Sequence, residues 1–272
     1  LLPVDQHGAV RLDRLTDLID RQTRLVSVIW GNHETGVLQA IRNVPDVCHE
    51  FGVPLHTDAV QVAGKIPIAF HELGIAALTI SSHKFHGPKG IGGLLLSPDT
   101  KVQPILYGGF QQAGIRPGTE SVELAVGMKV ALELGVYQDV SVMQTLGSMR
   151  SRLEKILCEE LPGLIVHSQG TDRVPHTSLI SFSGCERQAV VMALDQAGVA
   201  CATGSACESG SMELSPTLLA IGCDLTLIRG AVRLSVGSHN TASEIDEAAR
   251  RIIATIKHLR QVNYRSAGFE VT

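Results

Sequence analysis

In the first part of the chain, apolar positions cluster in short runs that end on polar or glycine-containing segments. Residues 24–30 are β-branched and apolar and stop at Gly31, which predicts a buried strand. Residues 44–51 fit a short helix with Gly52 as its stop. Further strands are expected at 53–58, 76–81 and 91–97. Strand and helix alternating at this pace predict an α/β fold with a mainly parallel sheet. Ligands of such sheets bind beyond the carboxyl ends of the strands. That singles out Asn32, His33, Glu34, Asp58, Gln61, Ser81, Ser82, His83 and Lys84.

Further on the rhythm changes. Residues 122–134 and 142–161 have helical composition, the second run stopped by Pro162-Gly163. Strands are expected at 164–167, 179–182 and 232–236, and helices at 188–197 and 241–260. Thr241 and Glu244 stand at capping-box spacing. A division near residue 138 is expected, giving domains 1–138 and 139–272.

Composition narrows the class. The chain has 272 residues, 44% hydrophobic and 18% charged, a globular balance that argues against disorder. Aromatics are only 4%, which weakens any reading built on base stacking. The net charge is −4 with no basic tract, so neither nucleic acid nor an anionic membrane is an expected partner. No apolar run reaches the ~18 residues of a membrane span, and no signal peptide is visible at the start. The six cysteines, Cys48, Cys158, Cys185, Cys201, Cys207 and Cys223, are scattered without a CxxC pair. They read as reduced thiols of a cytoplasmic protein, with no metal-ligand spacing.

Four constellations carry candidate chemistry. In Ser81-Ser82-His83-Lys84, followed by Gly87-Pro88-Lys89-Gly90, a lysine leaves the core at a strand end beside donors suited to an anion. An arbitrary loop lysine is merely solvated; one in this setting is suited to Schiff-base chemistry. Asp58 also ends a strand. An aspartate there is commonly a helix cap, but paired with the lysine it supplies what pyridoxal phosphate chemistry needs, an acid for the ring nitrogen and an amine for the aldehyde. Residues 202–211, Ala-Thr-Gly-Ser-Ala-Cys-Glu-Ser-Gly-Ser, form a small, glycine-rich loop whose Cys207 is a candidate exposed nucleophile. Gly108-Gly109 with Arg116-Pro117-Gly118-Thr119 suits an oxyanion, although a plain turn explains it nearly as well.

Taken together the chain resembles the group I cysteine desulfurases, class V aminotransferase-like pyridoxal phosphate enzymes. The resemblance runs from about residue 9 to about residue 260. It is carried by Asn32-His33-Glu34-Thr35-Gly36, His56-Thr57-Asp58-Ala59-Val60-Gln61, Ser81-Ser82-His83-Lys84, Arg116-Pro117-Gly118-Thr119, Gly204-Ser205-Ala206-Cys207 and Arg233-Leu234-Ser235-Val236-Gly237. It implies a fold type I architecture: part of a mainly parallel large domain and a smaller α+β C-terminal domain. It further implies that Lys84 carries the cofactor, Asp58 pairs with its ring nitrogen, and Gln61 lies at its phenolic oxygen. Ser81 and His83 would bind phosphate, with Thr119 reaching the phosphate of a partner subunit in a homodimer. Arg233 would hold the carboxylate of L-cysteine. Cys207 would take the sulfur as a persulfide, release alanine and pass sulfur to an acceptor protein of iron–sulfur or related biosynthesis.

Two positions depart from the family. His33 stands where the family has a second asparagine at the cofactor ring, and Phe110 interrupts its usual glycine run. A titratable histidine there is expected to shift the pH response of the bound cofactor. The chain starts Leu1-Leu2-Pro3 without methionine and shows neither the family's Gly/Thr phosphate loop nor its ring-stacking histidine. It is therefore expected to be the back part of a longer protein, inactive or nearly so alone. A selenocysteine lyase or another class V enzyme shares most of these motifs, and a non-catalytic scaffold without cofactor is the alternative of another class. An aminotransferase would have no use for Cys207.

Overall fold

The computed structural model describes residues 1–135, 140–204 and 213–266. In chain order its elements are α1 (Leu15–Leu18), β1 (Val26–Ile29), α2 (Val44–Glu50), β2 (Leu55–Asp58), β3 (Ala77–Ser81), β4 (Gly92–Leu96), α3 (Val122–Glu133), α4 (Val140–Glu160), β5 (Leu164–Val166), β6 (Thr177–Phe182), α5 (Arg187–Gln196), α6 (Pro216–Ala220), α7 (Leu225–Arg229), β7 (Ala231–Ser235) and α8 (Ala242–Ser266). They fall into two compact units. One gathers the described residues of Leu1–Arg14, Gly31–Gln39 and Asp139–Thr272; the other gathers the described residues of Leu15–Trp30 and Ala40–Gln138.

The second of these, the strand-end unit, is built on a four-stranded sheet in the order β1-β2-β3-β4. β1, β2 and β3 run parallel, and β4 returns antiparallel to β3. β1 alternates inward Val26 and Val28 with outward Ser27 and Ile29. Leu55, Thr57 and Leu78 continue the buried face. Helix α2 begins with proline in its first turn and ends at Gly52, whose φ of +65° lets the chain reverse where a side chain would be strained. Helix α3 differs from the others: none of its residues is buried, and its stripe Val122, Val126 and Val130 faces outward.

The other unit, the antiparallel unit, centres on the sheet β5-β6-β7, both pairings antiparallel. Every residue of β6 is buried. Helices α4 and α8 present stripes at helical spacing, Leu146, Met149, Leu153 and Leu157 on one and Ile245, Ala249, Ile252 and Ile256 on the other, all buried. Thr241 and Glu244 close the capping box in both directions, Thr241 N–H to Glu244 Oε2 at 2.8 Å and Glu244 N–H to Thr241 Oγ1 at 3.3 Å. Glu154 is buried beneath Arg173, which donates to both its oxygens at 3.0 and 3.1 Å; Ser178 Oγ adds a bond at 2.7 Å. Burial and the charge of Arg173 lower the pKa of the neighbouring Arg150 guanidinium below its usual value.

Candidate active site

In the strand-end unit the chemistry-bearing side chains gather where two neighbouring parallel strands finish. Asp58 is the last residue of β2 and pairs in register with Thr79; Ser81 is the last residue of β3. Asp58 Oδ1 accepts the Val60 N–H at 2.8 Å, the Asx pattern that turns the chain out of the strand. No hydrogen bond among the described residues engages Oδ2. The turn continues through N–H bonds of Val62 and Ala63 to Ala59 O and of Lys65 to Val62 O. It places Lys65 one helical step beyond Gln61, and Lys65 Nζ donates to Gln61 Oε1 at 3.2 Å.

After β3 the residues Ser82–Phe85 make a single 3₁₀ turn, and His86 stops it in the left-handed region at φ 67°. Non-glycine residues take that conformation uncommonly. Ser81 Oγ and His83 Nδ1 lie 3.0 Å apart on the accessible side. Lys84 is half-buried, and its Nζ makes no hydrogen bond among the described residues. The two turns are locked together by Gly64. Its φ is +72°, and a Cβ there would lie 2.4 Å from Phe85 Cβ, so the turn that follows Asp58 sits directly on the turn that carries Lys84. On the same face of the sheet His56 bridges Ser27 Oγ (2.8 Å) and Thr79 Oγ1 (2.7 Å), a polar row beneath Asp58. Thr119 lies in the same unit, exposed, with no side-chain hydrogen bond among the described residues. Nearby Arg116 is also exposed and turns back on Pro117 O at 3.4 Å.

The antiparallel unit brings His33 and Arg233 together from positions 200 residues apart. Arg233, in β7, is held on one side by β6 and on the other by an exchange of backbone bonds with Ala202 (2.7 and 3.1 Å). Its Nη1 donates to the His33 carbonyl at 2.6 Å. The turn that offers this carbonyl is organised by Asn32, whose Oδ1 accepts the N–H groups of Glu34 and Thr35, both at 2.9 Å. Glu34 is 1% exposed and its Oε1 has no hydrogen-bond partner among the described residues; His33 Nε2 stands 3.8 Å from it. Gly204 packs against the same carboxylate, with a Cβ there meeting Glu34 Oε2 at 2.6 Å. Cys207 lies outside the described residues.

Sequence reading gave no role to His56, Lys65 or the buried state of Glu34. The first two had a signal: His56 shares a strand face with Asp58 at a spacing of two, and Lys65 follows Gln61 at a spacing of four in a turn. Among the described residues there is no cluster of three or more His, Cys, Asp or Glu side chains that could hold a metal ion, and no helix long and apolar enough to cross a membrane.

An α/β sheet with a lysine-bearing turn beside an aspartate at adjacent strand ends defines the class, and the chain belongs to the aminotransferase class-V family, whose description matches residues 1–248. Within that family it is similar to a cysteine desulfurase of Klebsiella pneumoniae, 40% identical over 96% of this chain and 66% of that protein. It is also similar to the cysteine desulfurase NifS of Azotobacter vinelandii, 35% identical over 96% of this chain and 65% of that protein. Among solved structures, a NifS-like protein superposes with a TM-score of 0.86 at 30% identity, covering 95% of this chain and 68% of that one. The NifS-like protein of Rickettsia africae gives 0.85 at 27% identity, over 94% and 69%. The chain spans about two thirds of the length of the curated relatives it matches.

Proposed function

We propose that the protein is a pyridoxal phosphate-dependent cysteine desulfurase. It converts L-cysteine to L-alanine and leaves the sulfur on Cys207 as a persulfide for transfer to an acceptor protein. The observation that carries the proposal is the pairing of Asp58 and the Ser81–Lys84 turn at the ends of neighbouring parallel strands. The names of the relatives support the same reaction.

The donor set fits the cofactor group by group. Lys84 offers an amine without a hydrogen-bond partner among the described residues. Asp58 keeps Oδ2 for a protonated ring nitrogen while Oδ1 holds the turn. Ser81 and His83 form an accessible donor pair for phosphate, and Gln61 offers an amide to the phenolic oxygen. Bound there, the cofactor would supply an electron sink for bond-breaking at the substrate.

The chain's own residues do the rest. Arg233 presents a planar guanidinium suited to the substrate carboxylate, and its hold on the His33 carbonyl limits where it can point. The Cys207 thiolate attacks the substrate sulfur. An S–S bond forms as the carbon–sulfur bond breaks; the electron pair of that bond stays with carbon, which takes up a proton to give alanine. The two sulfurs are oxidised and the carbon is reduced, so no outside oxidant is needed. We further propose residues 1–138 as the cofactor-binding portion and 139–272 as the portion carrying the cysteine. In the same reading Thr119 serves the phosphate of a second subunit in a homodimer, the sulfur serves iron–sulfur or related biosynthesis, and the site of action is the cytoplasm. The scattered, unframed cysteines favour that compartment.

The test is stoichiometry. With pyridoxal phosphate and L-cysteine the protein should form alanine and enzyme persulfide in equal amounts. Cys207→Ser should lose persulfide and sulfide release. A Cys207→Ser protein that releases sulfide at the full rate would remove Cys207 from the reaction.

A further inference from the structure

A carboxamide has two ends of nearly equal size and opposite polarity. Gln61 can serve an anionic phenolic oxygen only with its NH₂ end; turned over, it would set oxygen against oxygen. Nothing in the length or shape of the side chain decides between the two. Lys65 does. It is 5% exposed, and its ammonium donates to Gln61 Oε1 at 3.2 Å. A buried ammonium has no acceptor capacity, so it accepts only one orientation of the amide next to it.

The backbone keeps this pair in place. The two residues stand four apart in the turn that Asp58 caps, and Gly64, between them, rests on Phe85 Cβ. Phe85 follows Lys84 directly. The orientation imposed on Gln61 is thus fixed relative to the lysine turn.

We propose that Lys65 is a positioning residue: by occupying Gln61 Oε1 it turns the Gln61 NH₂ toward the phenolic oxygen of the cofactor ring. The inference rests on the reading that Gln61 lies at that oxygen. Its consequence is spectroscopic. An N–H donor on the ring oxygen draws off negative charge and weakens that oxygen's hold on the proton it shares with the Lys84 nitrogen. Releasing the donor tightens the hold.

The experiment is a pH titration of the visible absorption band of the protein loaded with pyridoxal phosphate, in a double-mutant cycle. Gln61→Leu should raise the midpoint by about one pH unit, tenfold in proton affinity. Lys65→Met should raise it in the same direction, and Lys65→Arg, which keeps a donor, should leave it near that of the unaltered protein. In the Gln61→Leu background Lys65→Met should add nothing, because it acts through Gln61. A second readout needs no cofactor: the Gln61 side-chain amide resonances should move in Lys65→Met and stay close to their places in Lys65→Arg. If Gln61→Leu shifts the midpoint and Lys65→Met does not, or if their shifts add in full, the role of Lys65 is overturned while the role of Gln61 stands. If Gln61→Leu itself shifts nothing, both fall. Unmoved amide resonances in Lys65→Met would also overturn the proposal.

Discussion

The two units support their reactive side chains in different ways. In the antiparallel unit Arg233 lies in register with β6 on one side and exchanges both its backbone bonds with Ala202 on the other, and its guanidinium is tied to the His33 carbonyl. In the strand-end unit Asp58 closes a strand, while Gln61 and Lys84 stand on turns beyond the strands. A side chain in a ladder inherits its direction from the sheet. A side chain on a turn needs a neighbour to orient it, and here the neighbours are specific: Gly64 against Phe85, Val60 on Asp58, Lys65 on Gln61. The packing differs in parallel. Helices α4 and α8 bury their apolar stripes, whereas the equivalent stripe of α3 is open, with Val122 at 66% exposure. Similar periodicity therefore marks a helix and its apolar side without marking what that side meets.

The contrast predicts where damage will be largest. Glu154→Ala leaves two buried guanidinium groups facing each other without their carboxylate, and should lower the stability of the antiparallel unit by about 3–5 kcal/mol in urea unfolding. A loss under 1 kcal/mol would mean that the cluster is well hydrated. Gly64→Ala should cost the strand-end unit about 2–3 kcal/mol, from a positive φ and an overlap with Phe85. Hydrogen exchange should show faster opening around the Gln61 and Lys84 turns. An unchanged pattern there would separate the two turns that the geometry joins.

A third difference concerns acid. Burial holds the His167 imidazole down to about 4, against an ordinary value of 6.5, while its Nε2 meets Ser181 Oγ at 2.6 Å. Below the ordinary value the unfolded chain binds a proton that the folded unit refuses. Stability is thus complete above pH 6.5 and falls as the pH drops toward 4, by up to ~1.4 kcal/mol per pH unit. His167→Gln should flatten that slope, as urea titrations at several pH values would reveal; an unchanged slope would assign acid sensitivity elsewhere. The smallest effect is local. Ser215 caps α6 through the Leu218 N–H at 3.0 Å, and Ser215→Ala should cost about 1 kcal/mol in thermal unfolding.

Much of the fold is legible from apolar runs and their stops. The runs at 24–30, 53–58, 76–81 and 91–97 all contain strands, and Pro162-Gly163 does end a long helix. The direction of β4 is not legible, since an apolar run reads the same parallel or antiparallel. Helices α6 and α7, of 5 residues each, are too short for a periodic signal. At the site, the positions of Asp58 and the Ser81–Lys84 segment at strand ends follow from local sequence. The meeting of Arg233 with His33 does not, because it is made by tertiary folding across 200 residues. Nor does the burial of Glu34 and Lys65, which depends on what packs over them rather than on the residues beside them.

In the proposed function Lys84 is the residue that takes up the cofactor's aldehyde. The direct measurement is borohydride reduction of the protein after incubation with pyridoxal phosphate, followed by mass mapping of its peptides. A pyridoxyl group is expected on Lys84, with loss of both that label and the visible band in Lys84→Ala. Stoichiometric label on Lys65 or Lys89 instead, or a band that survives Lys84→Ala, would contradict it.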